Sequence, residues 1–540
     1  MWHRLRAGRT ILAALLVTLA GCDNRNHEGS SDAGTGPAQV APRRGGEAVV
    51  LLASGFGGTW PSGLDPATNI TGGANSSLMN AIYSGLFQLR ADDDGRNART
   101  SAVLATSYEF AEDGRAFVIH LRRGVTFSDG TPFDAEAVRF NIERSLKSPC
   151  SCSPRRWPWA GDENVTVADA YTVVLHFARP YGSVVNAFAA TNLNWIASPT
   201  ALRQMGEDAF RIRPVGAGPF RVVSNQLSAR LTLERNPLYW EAGKPYLDRL
   251  TFQSIGSEQA GYQALLAGDA QAFEAMSNPL LLEQSEASRK LTVTRQPATS
   301  PLLVQLNTTA PPFNNLRARE AVYYATDVEA IRKGLFRGMF PVSQSFTAPE
   351  GLFHHAQIPG YRTYDLNKAK AIVRELGGLR IKLGTIRLAS GEQIITALQS
   401  QWKQAGMDVT IESYDLGTLI QQFQSREWQA MLQTAGSYDP DIGVGLSFRF
   451  SAKSVFSGVS DTALEELIDA ARGTADPMER DRLYLEVSKY LSDNAYGPFL
   501  FAQGSAQVTR GLRGPGLTTR IPPLQVDTSV LWQDVWLAAP

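Results

Sequence analysis

The sequence predicts a mixed protein of strands and helices, α/β or α+β, with more than one compact unit. Three observations carry this. The chain has 540 residues, and a compact unit holds about 100–200. Hydrophobic residues make up 43% and charged residues 19%, which suits a large core and not a disordered chain. Finally, short apolar runs of strand length alternate with stretches of helical period.

Ala48 to Leu52 is a continuous apolar run and reads as a buried strand. From Ser76 to Leu89, apolar residues at 78, 82, 86 and 89 have helical spacing. Phe117 to Leu121 follows the Asp113-Gly114 turn as a strand, and residues 165–177 read as a hairpin turning at Asp169-Ala170. Asp134 stands as an N-cap before a helix whose Val138, Ile142 and Leu146 share a face. Gly216 and Gly218 precede Phe220 where the chain must turn tightly or pass close to another backbone. Further strands are predicted at 231–234, 249–253, 302–306 and 409–411. Helices are predicted over 315–335, 367–376, 391–406 and 478–494.

The N-terminus reads as an address. Arg4, Arg6 and Arg9 precede the apolar run Ile11–Ala20, too short for a membrane span of about 20 residues and suited to a secretory signal. Leu19-Ala20-Gly21-Cys22 resembles a bacterial lipoprotein signal box, with cleavage before Cys22 and lipid on its thiol. Residues 23–46 are polar and Gly/Pro/Ser-rich, a flexible tether. Beyond them no apolar stretch reaches transmembrane length.

Composition also excludes classes. Lys+Arg and Asp+Glu both number 52, against a nucleic-acid binder with its basic excess. Three cysteines and six histidines give no disulfide scaffold and little material for a metal site. The phosphate-loop, nucleophile-elbow and zinc-protease signatures are missing. The expectation is a non-enzyme without cofactor or metal. Cys150 and Cys152 would meet an oxidising compartment after export, and a disulfide between them is geometrically demanding.

Five segments, in order, resemble one family. They are FVIHLRRGVTFSDGTPFDAEAVRFNIER (117–144), GAGPFRVV with LERNPLYWEAGKPYLDRLTF (216–252), LLVQLNTTAPPFNNLRAREAVYYATDVEAI (302–331), YDLNKAKAIVRELG (364–377) and GSYDPD (436–441). Together they resemble the family 5 solute-binding proteins of ABC importers for dipeptides, oligopeptides and nickel. The resemblance implies a two-lobed periplasmic-binding-protein fold, hinge-connected, with a subdivided first lobe. Its boundaries would be a signal peptide at 1–21, a tether at 22–46, lobe I at 47–301, lobe II at 302–503 and a return to lobe I over 504–540. It implies a monomer in the periplasm or another extracytoplasmic space, lipid-anchored to the cell membrane. That monomer would pass a peptide or similar small polar ligand to a membrane permease whose ATPase is a separate subunit. Nickel-chelate or opine binding on the same fold, and a non-transport receptor lipoprotein, are the alternatives.

The candidate ligand residues are Trp60, Asn194, Trp195, Ser437, Tyr438, Asp439 and Arg449. Peptide-binding members place an acidic residue before the aromatic of a motif similar to Tyr438-Asp439-Pro440-Asp441. Ser437 stands there in this chain, which weakens the case for dipeptides. The bland alternative is that Asp439 and Asp441 only turn the chain. Arg449 could fork onto a carboxylate or phosphate, or form an ion pair. The tryptophans could line a cleft or pack in a core. Asp129-Gly130-Thr131-Pro132 reads as a turn, and His354-His355 as a loop detail.

Overall fold

The computed structural model describes residues 41–53, 59–69, 75–91, 98–148, 157–161, 163–442, 445–517 and 530–539. Cys22, Cys150 and Cys152, with the stretch expected to be a signal at 1–21 and most of that expected to be a tether, lie outside the described residues.

Two large sheets organise residues 42–540. The first has seven strands in the spatial order Thr292–Arg295, Ala506–Thr509, Ala272–Met276, Glu47–Ala53, Arg249–Ile255, Arg230–Arg235, Phe220–Gln226. Its centre is parallel, because Glu47–Ala53 runs with both Arg249–Ile255 and Ala272–Met276. Strands buried on both faces read as unbroken apolar runs, as Ala48 to Leu52 does. Val50 and Leu52 pack with Phe252 and Trp532 on one face, and Leu51 packs with Phe273 on the other.

A four-stranded antiparallel sheet is attached to this lobe, in the order Ala105–Ala111, Ala116–Leu121, Thr172–His176, Val165–Asp169. Helix Ala135–Lys147 covers it, and Asp134 caps that helix by accepting the Ala137 N–H at 2.9 Å. Asp129 accepts from the Thr131 N–H and hydroxyl and from Ser198 Oγ, at 2.9, 2.6 and 2.7 Å, so the Asp-Gly-Thr-Pro segment is a clamped turn.

Lobe II is built on five strands in the order Asp408–Tyr414, Arg380–Ile386, Ala430–Thr434, Pro301–Leu306, Phe499–Ala502. The chain passes from the first sheet to the second between Arg295 and Pro301 and returns between Ala502 and Ala506. The two passes run side by side, with the Gln296 N–H donating to Ser505 O at 2.8 Å.

Two predicted helices are shorter than their periodicity. The first ends at Tyr83, where Ser84 takes a left-handed φ of 52°, and Phe87–Ala91 continues as a strand paired with Ala98–Ala102. The 315–335 stretch divides into Leu316–Ala325 and Val328–Phe336. Asp327 caps the second piece by accepting the Ala330 N–H at 2.9 Å, and local side-chain bonds of this kind compete with a continuous helix.

Gly218 shows what its motif is for. Its N–H donates to Ile82 O at 2.9 Å, closing the end of helix Ser76–Tyr83. A Cβ there would sit 2.6 Å from the Tyr83 nitrogen and closer still to the Ile82 carbonyl. Gly218→Ala is expected to cost about 1–3 kcal/mol by overpacking, read as a lower urea midpoint with an unchanged slope.

Candidate functional site

In open α/β sheets, ligands bind outside the carboxyl ends of the parallel strands. In lobe I those ends are Ala53, Ile255 and Met276; in lobe II they are Ile386, Tyr414 and Thr434. Both sets abut the crossing segments. Met276 pairs with Ala506 on the lobe I side, and Thr434 pairs with Leu302 on the lobe II side. The carboxyl ends of both sheets therefore face the same place, at the mouth of the two crossings.

The Tyr438-Asp439-Pro440-Asp441 segment follows the end of Ala430–Thr434 and joins the two lobes. Asp439 is fully buried, 3.0 Å from Arg480 Nη2, and accepts from Asn186 Nδ2 of lobe I at 2.9 Å. The same Arg480 nitrogen donates to Ser183 Oγ of lobe I at 2.6 Å and to Tyr484 at 3.1 Å. Asp441 pairs with Arg472 Nε at 2.6 Å and accepts from Ser447 Oγ at 2.6 Å. Burial pushes the Asp441 carboxyl above the ordinary range, against the opposing pull of Arg472 and the Ser447 hydrogen bond. Gly182 N donates to Arg472 O at 3.2 Å, and Arg179 pairs with Asp469 at 2.7 Å, two more bonds between the lobes. Tyr438 and Ile442 pack into the lobe I core beside Tyr181 and Phe188.

The candidate residues divide by place. Trp60 is fully buried in the lobe I core, its Nε1 donating to Asn225 Oδ1 at 2.8 Å. Trp195 packs in the same core and donates to Asn80 Oδ1 at 2.9 Å. Asn194 bonds the Phe87 N–H and carbonyl at 2.9 and 2.8 Å, pinning a strand. Packing and backbone support engage these three side chains. Ser437 Oγ donates to Asp439 O at 2.6 Å and lies 3.1 Å from Ile442 O, so its hydroxyl shapes the turn. Asp439 and Asp441 are occupied by arginines. Arg449 Nε donates to Thr434 O at 2.7 Å and its guanidinium lies 4.8 Å from the Phe448 ring centre. Ser437, Tyr438 and Asp439 follow the end of strand Ala430–Thr434, and Arg449 bonds it.

Arg472, Arg480, Ser183 and Asn186 were missed by sequence reasoning. One signal was there. On helix Pro477–Asp493, Arg480 occupies the stripe of Tyr484, Val487 and Leu491, where a charge has no place unless paired. His355 is a surface partner, 3.0 Å from Asp481. No group of three or more His, Cys, Asp or Glu able to hold a metal occurs among the described residues.

Two lobes with opposed strand ends and paired crossings define the class of two-lobed periplasmic binding proteins. Solved structures agree. The Helicobacter pylori DppA in complex with peptide STSA superposes with a TM-score of 0.76 at 23% identity, covering 92% of this chain and 99% of that one. AgaA from A. tumefaciens R10 in complex with agropinic acid gives 0.76 at 21% identity, covering 92% and 99%. The glutathione-binding protein GsiB of Salmonella paratyphi A is 27% identical over 476 residues, 82% of this chain and 86% of its own. The family model of bacterial extracellular solute-binding proteins, family 5 Middle, matches residues 100–455, and the chain belongs to that family.

Removing one member of a buried ion pair strands the other charge and costs about 3–5 kcal/mol, whereas deleting one hydrogen bond to a charged group costs about 1.5–3 kcal/mol. Asp439→Asn is therefore expected to lower the stability more than Asn186→Ala, measured by urea unfolding of the two variants side by side.

Proposed function

We propose that this protein is the solute receptor of an ABC importer and captures a peptide or similarly small polar solute between its lobes. One observation carries it: the carboxyl ends of the parallel strands in both sheets meet at the same pair of crossing segments. Opening and closing about the crossings would load the solute and then present the closed form to a permease. The relatives named for glutathione, and the structures holding a tetrapeptide or a dipeptide, support a peptide-type ligand. The agropinic acid complex, at the same TM-score as the tetrapeptide complex, favours an opine as the second reading. Ser437, Tyr438, Asp439 and Arg449 would border the site, with Asp439 acting through Arg480 rather than on the solute. The protein would catalyse no reaction, and the ATPase would be a separate subunit.

The address segment supports lipid attachment at Cys22 and an extracytoplasmic location. Among the described residues no helix is long and apolar enough to cross a membrane. A single acyl chain anchors only marginally, so stable attachment would need two or more.

Thermal unfolding in the presence of reduced glutathione, the dipeptide Met-Leu, the peptide STSA and agropinic acid tests the reading. A true ligand at a hundredfold its Kd stabilises by about 2.7 kcal/mol and raises Tm. A flat Tm across all four would count against both the peptide and the opine assignment.

A further inference from the structure

Three polar side chains stand together on one face of the lobe I sheet, beside the crossings. Ala506 and Val508 pack with Phe273 and Leu281 on the outer face, Val293 packs against the same cluster, and Arg295 pairs with Glu286 of helix Pro279–Ala287 at 2.8 Å. Side chains alternate along a strand. Gln507, which lies opposite Thr294, therefore points to the other face. Gln296, which extends that ladder through its bond to Ser505 O, points the same way. Glu274 lies across from Leu52, and Leu52 and Ala272 pack on that second face. The three residues thus sit on adjacent strands, at the carboxyl end of Ala272–Met276 and at the two chain crossings.

Their burial is unusual. Gln507 is 0% exposed, and both its amide oxygen and its amide nitrogen lack a hydrogen-bond partner. Gln296 is 6% exposed and its amide oxygen lacks one too. Glu274 is 5% exposed. Buried polar groups are nearly always satisfied, and an exception calls for an absent water, ion or ligand. The strand is also re-aimed here. The ladder shifts register between Phe273 and Met276, and Ala275 takes a left-handed φ of 60°. Such bulges and strained residues gather beside binding sites.

We propose that Glu274, Gln507 and Gln296 form the lobe I half of the solute site. They would take a group that carries an ammonium beside a carbonyl or carboxylate oxygen. The carboxylate accepts from the ammonium, and the Gln507 amide donates to the oxygen while accepting a second N–H. In lobe II, Asp439 and Asp441 each pair with an arginine, Arg480 and Arg472. The solute's cationic end would dock on lobe I. This rests on the solute-binding reading above.

The test uses the full chain with reduced glutathione and Met-Leu as probes. Gln507→Met keeps the volume and removes the amide. The empty protein is expected to melt higher, because a buried unsatisfied group is gone, while the Kd by calorimetry weakens at least about tenfold. Opposite signs for empty stability and affinity separate a ligand contact from a structural residue or a water site. N-acetylation of the bound probe is expected to weaken wild type about tenfold and Glu274→Gln far less, the signature of a coupled pair. An unchanged Kd in Gln507→Met, or an equal acetylation penalty in both proteins, overturns the proposal and leaves the solute-binding reading standing. Failure of wild type to bind either probe overturns the ammonium assignment together with the peptide reading.

Discussion

The paired crossings are the constraint on which the rest of the molecule depends. Because Met276 is laddered to Ala506 and Thr434 to Leu302, each sheet is fixed at its carboxyl end against the chain that leaves for the other sheet. Residues 296–300 and 503–505 are the two passes that link the sheets. Gly504, whose would-be Cβ meets the Gln296 carbonyl at 3.2 Å, lets the two passes lie that close.

The inter-lobe contact follows from the same constraint. With the strand ends opposed, the segment after Thr434 reaches Tyr181 and Asn186 of lobe I, and Arg480 reaches Ser183 beside them. Its two aspartates are buried there, each with an arginine from lobe II. Buried charges add little net stability over apolar packing, but they punish misalignment, because each loses its compensation when the geometry slips. The contact is therefore better suited to fixing how the lobes meet than to holding them shut by strength alone. Tyr438 and Ile442 supply apolar burial around it.

Much of the fold could be read locally. The Ala48–Leu52 strand, the Asp134 cap and the 165–177 hairpin depend on neighbours within a few residues, and each forms where its pattern predicts. The failures have physical causes. The helix from Ser76 stops at Tyr83 because Ser84 and Gly85 turn the chain, although the apolar spacing continues to Leu89. The site was less legible. Trp60, Asn194 and Trp195 have side chains that suit a cleft as well as a core, and their partners Asn225, Phe87 and Asn80 could not be read from the sequence. Those partners are 165, 107 and 115 positions away, beyond the reach of any sequence pattern.

The sequence alone determined the alternation of strands and helices and the ordered family segments, because periodicity, caps and turns are short-range physics. Its charge balance likewise depends only on residue type. The tertiary structure decided which charges are neutralised. Asp439 became an inter-lobe residue only when Arg480, 41 positions on, and Asn186, 253 positions back, were brought to its carboxylate. It also decided which polar groups are left without partners. Gln507 is an ordinary residue in the sequence and a buried, unsatisfied amide in the fold. A hydrogen bond, or the lack of one, depends on the whole folded surroundings of a group, and no local pattern records them.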